Sequence, residues 1–252
     1  VKNLSADVTR QAEAVQTALR ESLVGLYLYG SAVAGGLRAE SDVDLLAVIS
    51  SRLEHGERAQ LIAVLLHVSG RRAYDGPARP VELTVMLAED LDPWRPVVQL
   101  QYGEWLRDDA IADRLPGPHV DPDATLLLAM ARDAGISLFG PSAQELLPDI
   151  PHGAVRSAIV QSLPSLMEDL DGDERNVVLT LARMQATLDT GRFLPKDAAA
   201  EELAVTAPTD QAEMLRTAAA AYRGEIVDDW DQLAPALKDF VARVSASINA
   251  AS

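Results

Sequence analysis

Three acidic side chains and one Gly-Ser pair are the residues of this chain best suited to chemistry. Asp42 and Asp44 stand two apart at the head of an apolar run, DVDLLAVIS (42–50). Side chains alternate along a strand, so both carboxylates face the same way. Neighbouring carboxylates repel unless a cation lies between them. Hard oxygen ligands of this kind suit magnesium, which also takes phosphate oxygens. Gly30-Ser31, ten residues earlier, closes the β-rich stretch VGLYLY (24–29). Glycine has no Cβ, so a phosphate can approach the backbone there. A turn or helix starting at Ser31 would add N–H groups and a hydroxyl. The third acid, Glu82, interrupts VELTV (81–85) and projects on the same side as Thr84. If that strand lies beside the one opened by Asp42, Glu82 reaches the pair. It could then join as a metal ligand or accept the proton of an attacking hydroxyl. Each feature has a plain structural reading alone: a turn, a loop, a solvent-facing strand residue. Their combination points to metal-assisted chemistry on a phosphate.

Positioning these groups requires strands, and the hydrophobic pattern supplies them. Residues 3–22 read as a helix, 24–29 as a strand ending at Gly30, and Gly35-Gly36 as the turn leading back to a strand at 42–50. A helix is predicted over 55–69, a strand over 80–87, a further strand over 96–106 and a helix over 124–134. The Pro- and Gly-rich segment 140–153 reads as a junction. Only helices are predicted beyond it, at about 154–168, 174–189, 196–204, 210–223 and 234–249. The expected fold class is α+β: a small mixed sheet with helices, followed by an all-helical bundle. The boundary is placed between residues 148 and 149.

Composition narrows the function classes. A net charge of −16 argues against binding duplex nucleic acid and fits attraction of a cationic small molecule. The chain has no cysteine, which excludes disulfides and zinc-thiolate sites. VKNLSADVTRQAEA lacks the apolar centre of a signal peptide, and no stretch is long and apolar enough to span a membrane. A cytoplasmic monomer is the expectation. Dinucleotide, P-loop, zincin and nucleophile-elbow motifs are all missing. His55, His67, His119 and His152 are scattered along the chain.

Gly30-Ser31, Asp42-Val43-Asp44 and Glu82 together resemble the polymerase-β-like nucleotidyltransferase superfamily. More specifically, LYGSAVAGGLRAESDVDLLAV (28–48), VELTV (81–85), QYGEW (101–105), GDERNVVLTLAR (172–183) and PKD (195–197) are similar to the aminoglycoside (3'')(9) adenylyltransferases. The likeness runs from about residue 24 to residue 223, and the GDERN block is its most specific part. It implies a nucleotidyltransferase domain over 1–148 and a helical domain over 149–252 that contributes to nucleotide and drug binding. The expected reaction moves AMP from ATP to a hydroxyl of an aminoglycoside-type antibiotic, with spectinomycin favoured and streptomycin possible.

The resemblance implies roles residue by residue. Asp42 and Asp44 match the magnesium-binding pair, with two ions expected. Gly30 and Ser31 match the phosphate turn, and Glu82 the catalytic base. Trp105, Glu104, Asp173 and Asp169 fall in blocks that line the drug site. Arg183, Lys196 and Tyr222 match helical-domain residues that reach the nucleotide. The active site is expected in an interdomain cleft, with nucleotide binding first. Asp173 also suits a helix N-cap, and Trp105 suits either core packing or a stacking wall. In streptomycin-accepting members, the loop before the GDERN block carries a tryptophan. The ungapped counterpart here is Pro164, and no tryptophan occurs between Trp105 and Trp230. That departure tilts the expectation towards spectinomycin. Two rival readings are a different acceptor, such as a protein hydroxyl or another small molecule, and a non-catalytic nucleotide sensor. A sensor would be expected to have lost one carboxylate, whereas all three are present.

Overall fold

Alternating apolar residues build the sheet that carries the three acids. In the computed structural model, which describes residues 4–33, 36, 41–71 and 78–251, the chain forms two units, 1–150 and 151–252. Gly35, half of the expected turn, lies outside the described residues.

The first unit opens with α1 (Ala6–Leu19), capped by the Ser5 hydroxyl accepting the Val8 N–H at 3.3 Å. It continues through β1 (Leu23–Leu28), β2 (Val43–Ile49), α2 (His55–Val68), β3 (Val81–Leu87) and β4 (Val97–Tyr102). Then come α3 (Arg107–Ile111), β5 (His119–Val120), α4 (Asp123–Ala134), β6 (Ile136–Phe139) and α5 (Ala143–Leu146). The six strands lie in the order β5-β4-β3-β2-β1-β6. Among the described residues only β2 and β3 run parallel, and α2 provides the long crossover that parallel neighbours need. The sheet is therefore mixed, and the chain is α+β.

One sheet face is the core. Val43, Leu45, Ala47 and Ile49 of β2 and Val81, Leu83, Val85 and Leu87 of β3 pack with Val8, Ala12 and Val15 of α1 and Leu61 and Leu65 of α2. The alternate residues of β2 and β3 must point to the other face. Asp44 and Glu82 are among them.

The second unit is helical: α6 (His152–Glu168), α7 (Glu174–Thr190), α8 (Lys196–Ala204), α9 (Thr209–Tyr222) and α10 (Trp230–Ala250). Gly191 ends α7 in the left-handed conformation, φ 71°, where a side chain would be strained. Ala236, Phe240, Val244 and Ile248 give α10 one buried stripe at four-residue spacing. No helix among the described residues is long and apolar enough to cross a membrane.

Candidate active site

Strand register brings the acids together. Asp44 of β2 and Glu82 of β3 are direct partners in the parallel pairing, so their side chains leave the same face side by side. Just outside β2, Asp42 shares the parity of Asp44, and both are partly exposed. The Val43 N–H donates to the Pro80 carbonyl at 2.9 Å, which closes the mouth of the β2–β3 pair. Arg79 donates through Nη1 to the Ser41 carbonyl at 3.0 Å and holds the residue before Asp42.

The Gly-Ser turn meets this pair edge-on. After β1, the Tyr29 N–H donates to the Asp44 carbonyl at 3.1 Å. Gly30 then takes φ +65° and begins a single 3-10 turn, Gly30–Ala32, with Ser31 at its centre. A Cβ on Gly30 would lie 2.0 Å from Asp44 Oδ2. Backbone conformation and close approach therefore both demand glycine here.

Glu104 and Trp105 follow β4 and part company. Trp105 is 51% exposed, so it is not a core residue. Its ring lies over the backbone of Gly103, where a Cβ would come within 2.2 Å of it. The side chain of Glu104 is only 6% exposed. It accepts hydrogen bonds from Arg107 Nε, from the Ser69 hydroxyl at 3.1 Å and from the Tyr102 hydroxyl at 3.4 Å. The carboxylate of Glu104, a residue expected in the drug-site wall, is engaged by these three donors.

Within the second unit, Asp173 occupies the N-cap position of α7 but makes no side-chain capping bond. Its Oδ2 instead accepts from Asn176 Nδ2 at 3.1 Å, and Asn176 Oδ1 accepts from Lys196 Nζ. Asn176 thus links two residues assigned to different ligands. Arg175 forms a two-pronged pair with Asp228, Nε–Oδ2 2.7 Å and Nη2–Oδ1 2.6 Å, and Trp230 Nε1 donates to the same carboxylate. These bonds hold Asp228 below the ordinary carboxylate range, the Arg175 hydrogen bond being the largest cause. Arg183 lies on α7, Tyr222 is the last residue of α9, and Asp169 is exposed just after α6. Pro164, the ungapped counterpart of the family's loop tryptophan, lies inside α6, within the helix predicted over 154–168.

Among the described residues, no group of three or more His, Cys, Asp or Glu side chains is gathered closely enough to hold a metal ion alone. The Asp44–Glu82 pair therefore fits magnesium only in its usual mode, with water and phosphate oxygens completing the shell.

Comparison with known proteins settles the family. The model of the aminoglycoside adenylyltransferase C-terminal domain matches residues 145–247. A spectinomycin 9-adenylyltransferase from Staphylococcus aureus is 42% identical over 229 residues, covering 90% of this chain and 88% of the relative. The chain belongs to the aminoglycoside adenylyltransferase family. An aminoglycoside (3'') (9) adenylyltransferase from Escherichia coli is 34% identical, with 98% of this chain and 96% of the relative covered. A crystal structure of spectinomycin adenyltransferase AAD(9) from Enterococcus faecialis, with ATP and spectinomycin, superposes with a TM-score of 0.88 at 31% identity. The match covers 94% of this chain and 98% of the other.

Several residues that hold candidate site residues or their neighbours in place within each unit carry no sequence signal. Ser69 and Asp228 meet partners 35 and 53 positions away, whereas Arg107 and Asn176 also bond three positions away, to Glu104 and Asp173. Only Asn176 sits in a block already singled out, three residues after Asp173, on the same helical face.

Proposed function

We propose that this chain transfers AMP from ATP to a hydroxyl of an aminoglycoside-type antibiotic, with spectinomycin as the favoured acceptor, and so confers resistance. The observation that carries this reading is the Asp44–Glu82 register pair beside the Cβ-free edge of Gly30. Family membership and the names of the relatives supply the substrate class. Pro164 inside a helix, with no tryptophan between Trp105 and Trp230, favours spectinomycin over streptomycin.

In this reading a drug hydroxyl attacks the α-phosphorus of ATP in line. The bond from that phosphorus to the bridging oxygen breaks, and pyrophosphate leaves. Glu82 accepts the hydroxyl proton on a carboxylate oxygen. Ser31 and the turn at Gly30 bind phosphate oxygens through N–H and hydroxyl groups. Asp42, Asp44 and Glu82 would hold magnesium, two ions in this reading, which supplies neutralisation of charge on the triphosphate. Arg183, Lys196 and Tyr222 serve the nucleotide. Asp173 and Asp169 offer negative charge to the drug, and Trp105 an aromatic face. Most of the acceleration comes from positioning and charge stabilisation.

The test is mass spectrometry of spectinomycin and streptomycin after incubation with ATP and magnesium. Adenylylated spectinomycin is expected, with streptomycin modified much more slowly or not at all. Pyrophosphate release with neither drug modified would point to another acceptor.

A further inference from the structure

Beneath the Glu82 edge lies a buried polar knot that the proposed reaction leaves unused. Arg107 donates to Glu104, to the Leu66 carbonyl at 3.3 Å and to the Ser69 carbonyl at 3.1 Å, which ties off the end of α2. Glu104 also accepts from the Ser69 hydroxyl, and the Ser69 oxygen accepts the Val81 N–H at 3.1 Å. Pairing of β3 with β4 begins only at Leu83–Tyr102, so the first N–H of β3 is held by a side chain. Val81 is adjacent to Glu82, and its register partner, Val43, lies between Asp42 and Asp44. The same corner is clamped from the backbone: Gly70 donates to the Arg79 carbonyl at 2.9 Å, and a Cβ on Gly70 would lie 1.6 Å from the Ala78 carbonyl.

We infer that Ser69 and Glu104 are positioning residues for adenylyl transfer, fixing Glu82 through the Val81 N–H. The inference rests on Glu82 being the base. A carboxylate oriented by a half-buried guanidinium is a rigid acceptor. It competes with the Gly70 carbonyl, at 3.2 Å, for the single Ser69 proton; as the charged acceptor at 3.1 Å it takes that proton and leaves the serine lone pairs towards Val81. Displacing a reacting group by about 1 Å can cost about 100-fold in rate, so loss of this anchor should appear in kcat. A residue contacting the drug would act on its KM instead.

The experiment measures steady-state kinetics of the full chain for Ser69→Ala, Ser69→Thr, Glu104→Gln, Glu82→Gln and the double variant Ser69→Ala/Glu82→Gln, with thermal unfolding of each. Ser69→Ala is expected to lower kcat about 10-fold with both KM values within about two-fold, and Ser69→Thr to restore most of it. Glu104→Gln, which keeps an acceptor for Ser69, should lower kcat less and leave the drug KM unchanged. It also serves as the test if Ser69→Ala does not fold. On the residual turnover of Glu82→Gln, the Ser69 change should have little further effect, because neighbours acting through one group are not additive. Equal losses in both backgrounds would overturn the inference, as would a raised drug KM at unchanged kcat in Glu104→Gln. A Glu82→Gln variant as fast as the native chain would strike down the base assignment itself, an outcome distinguishable from either.

Discussion

At the scale of single residues, Gly30 has little latitude. Its φ of +65° disfavours any side chain, and a Cβ would meet the Asp44 carboxylate at 2.0 Å. Gly30→Ala is expected to destabilise the first unit by about 1–3 kcal/mol, the range for strain at such a backbone position. It should also reduce kcat/KM at least about 100-fold by displacing Asp44, measured by kinetics beside thermal unfolding. Thr84 is the opposite case. Its hydroxyl is fully buried with no hydrogen-bond partner among the described residues, two residues beyond Glu82 on the same face. Thr84→Val should raise stability by about 1 kcal/mol, read as a higher Tm, because a desolvated and unsatisfied hydroxyl is removed. The shared face of Asp44 and Glu82 was legible in the sequence because alternation along a strand fixes side-chain direction. The hydrogen bonding of Glu104 was not. Its orientation is set by Arg107 and by Ser69, 35 residues away, and no local pattern encodes that contact.

At the scale of elements, the strands bearing the acids and the five helices of the second unit follow their periodicity to within a few residues. The sheet edges do not. β6 is four residues long with alternate positions exposed, and it pairs with β1 more than a hundred positions earlier. β5 is only two residues. Run lengths so short give no periodic signal. The run 96–106 was read as one strand, although Gly103 ends the pairing and a turn leads into α3. The start of α7 is held by the Arg175–Asp228 pair, and here the sign of a pH effect can be worked out. The folded carboxylate titrates lower than the unfolded one. Its contribution is therefore complete above the ordinary aspartate range, about pH 4, and fades as pH falls through the lowered folded value. Asp228→Asn should cost about 1–3 kcal/mol near neutral pH. The gap from the native chain should close in acid unfolding experiments below about pH 4.

At the scale of the whole molecule, charge is the dominant feature. A chain of net charge −16 attracts a cationic drug and repels a nucleotide triphosphate. ATP must therefore be met by local cations, magnesium or both, whereas the drug gains from the long-range field. Raising ionic strength from about 0.05 to 0.5 M shortens the screening length severalfold, so the KM for spectinomycin should rise a few-fold while that for ATP changes less. An unchanged drug KM across that range would show that the overall charge serves solubility and not capture. The central claim concerns the reaction and the acid that enables it. The most direct measurement incubates the native chain and Glu82→Gln with ATP, magnesium and spectinomycin, follows drug mass with time, and measures ATP binding by calorimetry. The account predicts adenylylated spectinomycin from the native chain. For Glu82→Gln it predicts ATP binding within a few-fold and turnover lower by at least about 100-fold, the contribution expected of a positioned base. Unmodified spectinomycin with the native chain, or product from Glu82→Gln at the native rate, would contradict it.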